Sequence, residues 1–287
     1  MASLIKAASD EVPPGQAVFF RSTFAIPVIV AWLWMRHELR DGLTTKNPMG
    51  HLWRGLVGTT AMGLGFAGLG LLPLPEVTAI GYAAPLLVVI FAAMFLGEEV
   101  RAFRLSAVAA GMLGVVIVLS PRLSVGSNPD MAETLGAVLV LGSAIFAALA
   151  QVFVRKMVKV EKTAAIVFWF SVTAATLSLL TLPWGWVVPS PLTVAMLICA
   201  GFLGGVGQIF LTSSYRFADA SLIAPFEYTS MLLALIVGYV VFDEVPTGSM
   251  MAGAAIIVAA GVAIILRERQ LGLERARQRK AMPPSNG

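Results

Sequence analysis

The chain has 287 residues, of which 58% are hydrophobic and only 13% charged, with a formal net charge of +4. Soluble domains carry about 25% charged residues, so an ordinary water-soluble fold is excluded. A nucleic-acid surface is excluded too, because the basic residues fall between long apolar runs and form no single patch. One cysteine, Cys199, inside an apolar run, leaves no disulfide framework.

A bilayer core needs about 20 apolar helical residues. Nine segments meet that length in chain order: Gly15–Trp34, Trp53–Leu72, Val77–Leu96, Phe103–Ser120, Glu133–Val154, Thr163–Pro183, Leu192–Ser214, Ser221–Val241 and Ser249–Leu266. The links are short and rich in turn residues, with Pro73 and Pro75 in one and Pro183, Pro189 and Pro191 in another. The fourth segment has the shortest core and is expected to sit with little tilt.

Two of these segments match. Glu76–Val100 and Ser221–Val245 are apolar runs with a proline in the first half, Pro85 and Pro225, and a closing pair of acids followed by valine. Phe19-Phe20-Arg21-Ser22 likewise lines up with Phe168-Trp169-Phe170-Ser171, 149 residues later. Duplicated, proline-interrupted membrane segments mark repeat-built secondary transporters. On this register residues 133–149 have no partner, and Met1–Ala8 matches only the end of the Glu133–Val154 helix. The expected fold is therefore all-α and integral to the membrane. It has two inverted five-helix repeats, with the first of ten helices largely missing and nine full spans present. The expected divisions are a first repeat over 1–126, a second over 127–267 and a basic tail over 268–287. Met1–Ser9 is expected to form a short helical stub leaving a gap beside the next helix, and the gene is expected to start about 17 residues or more upstream, the length that completes a span.

Charge sets the orientation. Seventeen of the twenty Lys and Arg residues, Arg54 among them, fall on the side of the C-terminal tail, and only Lys6 and Arg122 on the other. The basic side is thus cytoplasmic, in a bacterial-type inner membrane. Trp32, Trp34 and Trp53 mark that interface, and Trp184 and Trp186 the opposite one.

The arrangement resembles the drug/metabolite transporter superfamily, of the EamA type. The resemblance rests on Phe20-Arg21-Ser22, Gly97-Glu98, Asp243-Glu244-Val245 and the pairs Gly114-Val115 and Gly261-Val262. Ala224-Pro225-Phe226-Glu227-Tyr228-Thr229 is similar to the branch containing bacterial riboflavin and S-adenosylmethionine carriers. The resemblance implies ten helices in two inverted repeats and transport of a small molecule. The lipid bilayer is the other partner, and a homodimer is compatible with the reading. No cofactor, metal or nucleic acid is implied.

Several residues carry candidate chemistry. Glu227 lies about 12 Å into the membrane from the cytoplasmic side, two positions after Pro225, where a missing amide frees backbone carbonyls. An intramembrane acid reads as a proton-coupling group or a counter-ion for a cationic substrate; the alternative is a protonated packing residue. The repeat sets Tyr82 opposite Glu227, and Tyr228 and Thr229 follow, so these groups are candidate substrate contacts, with Pro85 and Pro225 as helix breaks. Arg21, about 9 Å in from the outer side, reads as a bidentate anchor for an anionic group, a partner of Glu244, or a snorkelling residue. Trp169 with Phe19 and Phe20 would make an aromatic wall. Other features read as structure. Gly63-Leu64-Gly65-Phe66-Ala67-Gly68 spells GxGxxG, but inside an apolar helix it is a packing face, as are Gly201, Gly204, Gly205 and Gly207. The acids Glu98, Glu99, Asp243 and Glu244 close helices, with gating as a second reading. His37 and His51 read as loop residues with no metal partners nearby.

The reading is a carrier of a small metabolite working by alternating access. The rivals are a channel-like or structural membrane protein and, below it, an integral-membrane enzyme, for which no nucleophile or acid–histidine cluster exists. A low-dielectric setting raises the affinity of Glu227 for a proton. Glu227→Gln is expected to express and fold normally while losing accumulation of substrate against a gradient. Reconstitution under an imposed pH gradient checks this, and parental accumulation by the variant would make Glu227 a packing residue.

Overall fold

A computed structural model of the chain describes residues 1–96, 102–123, 131–217 and 229–281. The described residues form helices α1 (Ala2–Ala8), α2 (Pro14–Thr23), α3 (Ala25–Met35), α4 (Leu39–Gly42), α5 (Pro48–Leu71), α6 (Leu74–Gly81), α7 (Ala83–Leu96), α8 (Ala102–Leu123), α9 (Met131–Met157), α10 (Thr163–Leu179), α11 (Pro191–Phe217), α12 (Thr229–Phe242) and α13 (Gly248–Ala281). Prolines open α2, α5 and α11, where the missing amide hydrogen costs nothing and the fixed φ suits a first turn. Asn47 caps α5 by accepting from the Gly50 amide at 2.9 Å.

Six apolar helical stretches are long enough to cross a bilayer: Pro14–Met35, Leu74–Phe95, Ala102–Pro121, Met131–Met157, Pro191–Arg216 and Gly248–Arg267. Among the remaining expected spans, α10 is a shorter apolar helix of 17 residues, and the Ser221–Val241 span is described only from Thr229 onward, where α12 runs over 14 residues. Helix α5 has 24 residues, but Arg54 and its many glycines lower its hydropathy. Six of the nine expected spans are thus helices long and apolar enough to cross a bilayer among the described residues.

Two of the spans are broken, by one mechanism. The Leu74–Phe95 span is interrupted at Tyr82, three residues before Pro85. The Pro14–Met35 span is interrupted at Phe24, three residues before Pro27. A proline cannot donate to the carbonyl four residues back and its ring crowds that carbonyl, so the helix gives way in the turn before it. The Pro27 break had no counterpart in the sequence reading. Pro225 lies outside the described residues.

Glycines set the closest helix crossings. Helices α8 and α13 meet at Gly114 and Gly253, and a Cβ on Gly253 would lie 2.5 Å from the Gly114 carbonyl oxygen. Gly201 and Gly205 of α11 press on the α2–α3 break, against the Phe20 carbonyl and the Ala25 backbone. In the GxGxxG stretch of α5, Gly65 and Gly68 face Ser143 and Val140 of α9, whereas Gly63 faces open space. The packing reading of that motif therefore holds for two of its three glycines. Helix α5 runs along α9, and α10 sits against both α2 and α5.

Large apolar side chains, including Leu113, Val116, Leu232, Ile236 and Val240, point outward, as a lipid-facing surface requires and a soluble one avoids. An apolar cavity of ≈ 330 Å³ lies beside α2, lined by Ile5, Ser9, Val12, Phe66, Leu135 and Leu139 among others.

The Gly114–Gly253 crossing leaves no room for a methyl group against rigid backbone. Gly253→Ala is expected to cost about 1–3 kcal/mol of stability through forced separation of α8 and α13. Gly63→Ala meets nothing within 4 Å and should be neutral or stabilising through helix propensity. Thermal unfolding of both variants in one detergent checks the contrast.

Candidate functional site

Polar contacts concentrate at the two ends of the bundle and at one point between them. At the first end, Glu11 lies in the link before α2. Its carboxylate accepts from the Ser190 amide, from the Ser190 hydroxyl at 2.9 Å and from the Thr193 hydroxyl. These are the donors at the start of α11, where unpaired amides and the helix dipole favour an anion. The Thr193 hydroxyl and the Ser190 amide hold the Glu11 carboxyl below its ordinary pKa. Nearby, Gln16 exchanges two hydrogen bonds with the Val187 backbone, at 2.8 and 3.1 Å.

At the other end, Glu161 lies in the link before α10. Its Oε1 accepts from the Lys46 amide at 2.8 Å, the Asn47 amide at 2.9 Å and the Thr45 hydroxyl at 3.1 Å. These donors stand at the start of α5. His51, in the first turn of α5, brings Nε2 to 3.7 Å from the second carboxylate oxygen. Burial alone would raise the Glu161 carboxyl. The Lys46 and Asn47 amides, the Thr45 hydroxyl and His51 outweigh it and hold the carboxyl below its ordinary value. Helix α5 begins beside Glu161 and ends at Leu71, which shares a cavity wall with Val12 and Pro14. The two clusters are therefore separated by the length of α5, roughly 36 Å at 1.5 Å per residue.

A third contact reinforces the first end. Lys6 of α1 pairs with Glu244 at 2.9 Å and donates to the Leu72 carbonyl at 2.8 Å. Glu244 also accepts from the Leu74 amide at 2.8 Å. Asp243 ends α12 with a positive φ of 54°, and the Glu244 amide turns back to the Gly238 carbonyl at 2.9 Å. That left-handed cap aims Glu244 at the start of α6.

Between the ends lie two buried arginines, Arg21 of α2 and Arg54 of α5, 4% and 5% exposed. Their guanidinium carbons stand 5.6 and 3.4 Å from the centroid of one ring, Phe170 of α10. Arg21 Nη2 donates to the Gly204 carbonyl at 3.3 Å. Among the described residues, Nε and Nη1 of both arginines have no hydrogen-bond partner.

The candidate residues divide. Arg21 is inside the protein, neither snorkelling nor paired with Glu244, which Lys6 takes instead. Arg54, counted with the loop charges, is enclosed, because α5 starts at Pro48 and carries it nearly two turns inward. His51, read as a loop residue without acidic company, is buried beside Glu161. Trp169 donates to the Leu43 carbonyl at 3.1 Å and packs edge-on against Phe168, while Phe19 packs on Phe20 and Trp186. The expected wall of Trp169, Phe19 and Phe20 does not form, and Phe170 is the ring beside the charges. The Tyr82 hydroxyl lies 2.7 Å from Ser230 Oγ, in the helix break before Pro85. Thr229 is the exposed first residue of α12. Glu227, Tyr228, Pro225, Glu98 and Glu99 lie outside the described residues. Glu11 and Glu161 were missed. Their spacing of 150 residues, one more than the repeat offset, is the signal that would have found them.

Known proteins place these features in a family. The chain is 31% identical over 266 residues to the pseudopaline exporter of Pseudomonas aeruginosa, covering 92% of this chain and 90% of that one. It is 29% identical over 255 residues to the S-adenosylmethionine uptake transporter of Rickettsia felis, covering 89% and 84%. It is 29% identical over 259 residues to the riboflavin transporter of Rhizobium johnstonii, covering 89% and 82%. A solved crystal structure shares the fold with a TM-score of 0.67 and 23% identity, over 94% of this chain and 96% of that one. The profile of the EamA-like transporter family matches residues 1–120 and 134–267. The chain is a membrane transporter, not an enzyme, and belongs to the EamA-like transporter family.

Proposed function

We propose that the chain is a secondary carrier that moves a small metabolite across the inner membrane by alternating access, with one carboxylate latch closing each end. The observation that carries this reading is the correspondence of the two latches. Glu11 precedes α2 and caps the start of α11, and Glu161 precedes α10 and caps the start of α5. Helices α2 and α10 are repeat mates at the offset of 149, and α5 and α11 both open on proline, at Pro48 and Pro191. The same contact is thus made twice, with the halves exchanged, at opposite ends of α5. Inverted repeats that rock against each other need such exchangeable contacts, each broken when its own end opens. A channel has no use for matched closures at both ends. Both latches are formed here, which supports an occluded arrangement.

The latches are not identical. The Glu161 latch adds His51, and the Glu11 latch is supplemented by Lys6–Glu244. Such differences bias one opening over the other and so set which state is more populated, while the gradients across the membrane set the direction of net transport. In this reading Glu227 supplies proton coupling, and Tyr82 with Ser230 faces the substrate at the helix break.

The latch variants should act in opposite directions. Glu161→Gln removes the charge that holds the Lys46 and Asn47 amides. Hydrogen bonds to charged groups contribute about 1.5–3 kcal/mol, so exchange of those two amides should rise roughly tenfold or more, with the Ser190 amide unchanged or better protected. Glu11→Gln should free Ser190 and leave Lys46 and Asn47 protected. Hydrogen exchange of the full chain in nanodiscs reads both. A joint rise at both ends in either variant would indicate general loosening and contradict the reading.

Acid should open the latches in a defined sense. Both carboxyls are held below their ordinary values. Their contribution is complete above the ordinary carboxylate pKa and disappears as pH falls through the lowered value. Protection of Lys46, Asn47 and Ser190 should therefore be flat across neutral pH and fall only in acid, and a drop centred near neutrality would contradict carboxylate latches.

A further inference from the structure

We propose that Arg21 and Arg54, held against Phe170, form the binding site for a carboxylate of the transported metabolite. The proposal rests on the carrier reading above and names the chemistry of its substrate. Two guanidiniums share one aromatic ring in the interior of a lipid-embedded bundle, both nearly inaccessible to water. Among the described residues, no acid pairs with either one. Among the described residues, the Phe170 ring and a single carbonyl at 3.3 Å are their only compensation. Four nitrogen atoms, Nε and Nη1 of each residue, are buried without a partner among the described residues.

Burying one unpaired cation is costly, and placing two together adds their repulsion. Cation–π contact offsets part of this but supplies no acceptor for the N–H groups. The missing component is an anion with several acceptor lone pairs. A carboxylate meets that need, since its two oxygens match the planar fork of a guanidinium.

The surroundings are shaped to hold the arginines in place. A Cβ on Gly58 would lie 2.5 Å from Arg54 Nη1, and one on Gly204 would lie 2.9 Å from Arg21 Nε. Glycine at each position leaves the guanidinium its space. The site also joins the two halves, since Arg21 and Arg54 come from the first repeat and Phe170 and Gly204 from the second. An anion bound there would touch both bodies that move in alternating access.

The test is thermal unfolding of the full chain in detergent with glutamate, succinate, inorganic phosphate, chloride and uncharged succinamide as probes. The parent should be stabilised by the carboxylates and not by succinamide. Arg21→Met and Arg54→Met should fold with equal or higher Tm, because they remove unpaired buried charge, and should lose the carboxylate shift. Arg21→Lys should keep the charge and weaken carboxylate binding at least about tenfold, because an ammonium cannot reproduce the fork. Stabilisation by chloride or phosphate alone would make this an inorganic-anion site and overturn the proposal. So would carboxylate shifts that persist in both Met variants, or the absence of any carboxylate shift in the parent. Should the Met variants fail to fold, Arg21→Lys with Arg54→Lys decides, since an unchanged carboxylate shift in that pair also overturns it. Saturable counterflow in proteoliposomes separates the two claims. Arg-dependent carboxylate binding without counterflow would retain the site and remove the carrier reading. Counterflow with no carboxylate competition would do the reverse.

Discussion

A side-chain charge inside a bilayer must be paired, reach water or hold a ligand, because the medium itself offers nothing to solvate it. The polar architecture of this chain follows from that constraint. Glu11 and Glu161 sit at helix starts, where backbone amides otherwise lack partners. Lys6 and Glu244 pair with each other and use three backbone groups of α5, α6 and the link between them. Among the described residues, Arg21 and Arg54 do none of these things, and that difference singles them out.

In the proposed carrier, the latches and the arginines form one device. Each latch joins a link of one half to a helix start of the other, and the arginine pair faces a ring from the other half. Breaking a latch frees one end without disturbing the other, provided the middle of the bundle acts as a pivot. Backbone breaks at Phe24 and Tyr82, enforced by Pro27 and Pro85, would give that middle its compliance in the proposed motion. The glycine crossing of α8 and α13 lies elsewhere and holds those helices in fixed contact.

Much of the fold was legible because lipid imposes a simple rule on sequence. Apolar runs near 20 residues became helices, Pro85 became a break, and Gly65 and Gly68 became a packing face. The site was less legible. Glu11 and Glu161 stand in short polar links, where an acid looks like a solvated turn, and their partners lie 179–182 and 110–116 residues away. His51 was assigned to a loop and Arg54 to the cytoplasmic edge of a span because the apolar run was read as starting at Trp53, whereas Pro48 and the Asn47 cap start the helix earlier. Pro27 was hidden in an uninterrupted apolar run, in which hydropathy carries no record of a backbone break.

Reciprocity of the two latches is the central claim, and paired distance measurements address it directly. Spin labels at Asp10 and Val188 would report the Glu11 end, and labels at Thr44 and Lys159 the Glu161 end, all at exposed positions. A Cys199→Ser background removes the native, exposed thiol. Electron–electron distance distributions in nanodiscs would then be compared for the parent and for Glu161→Gln. The account predicts a longer-distance population at the Thr44–Lys159 pair, with the Asp10–Val188 distance remaining short. Lengthening at both ends together, or at neither, would contradict it.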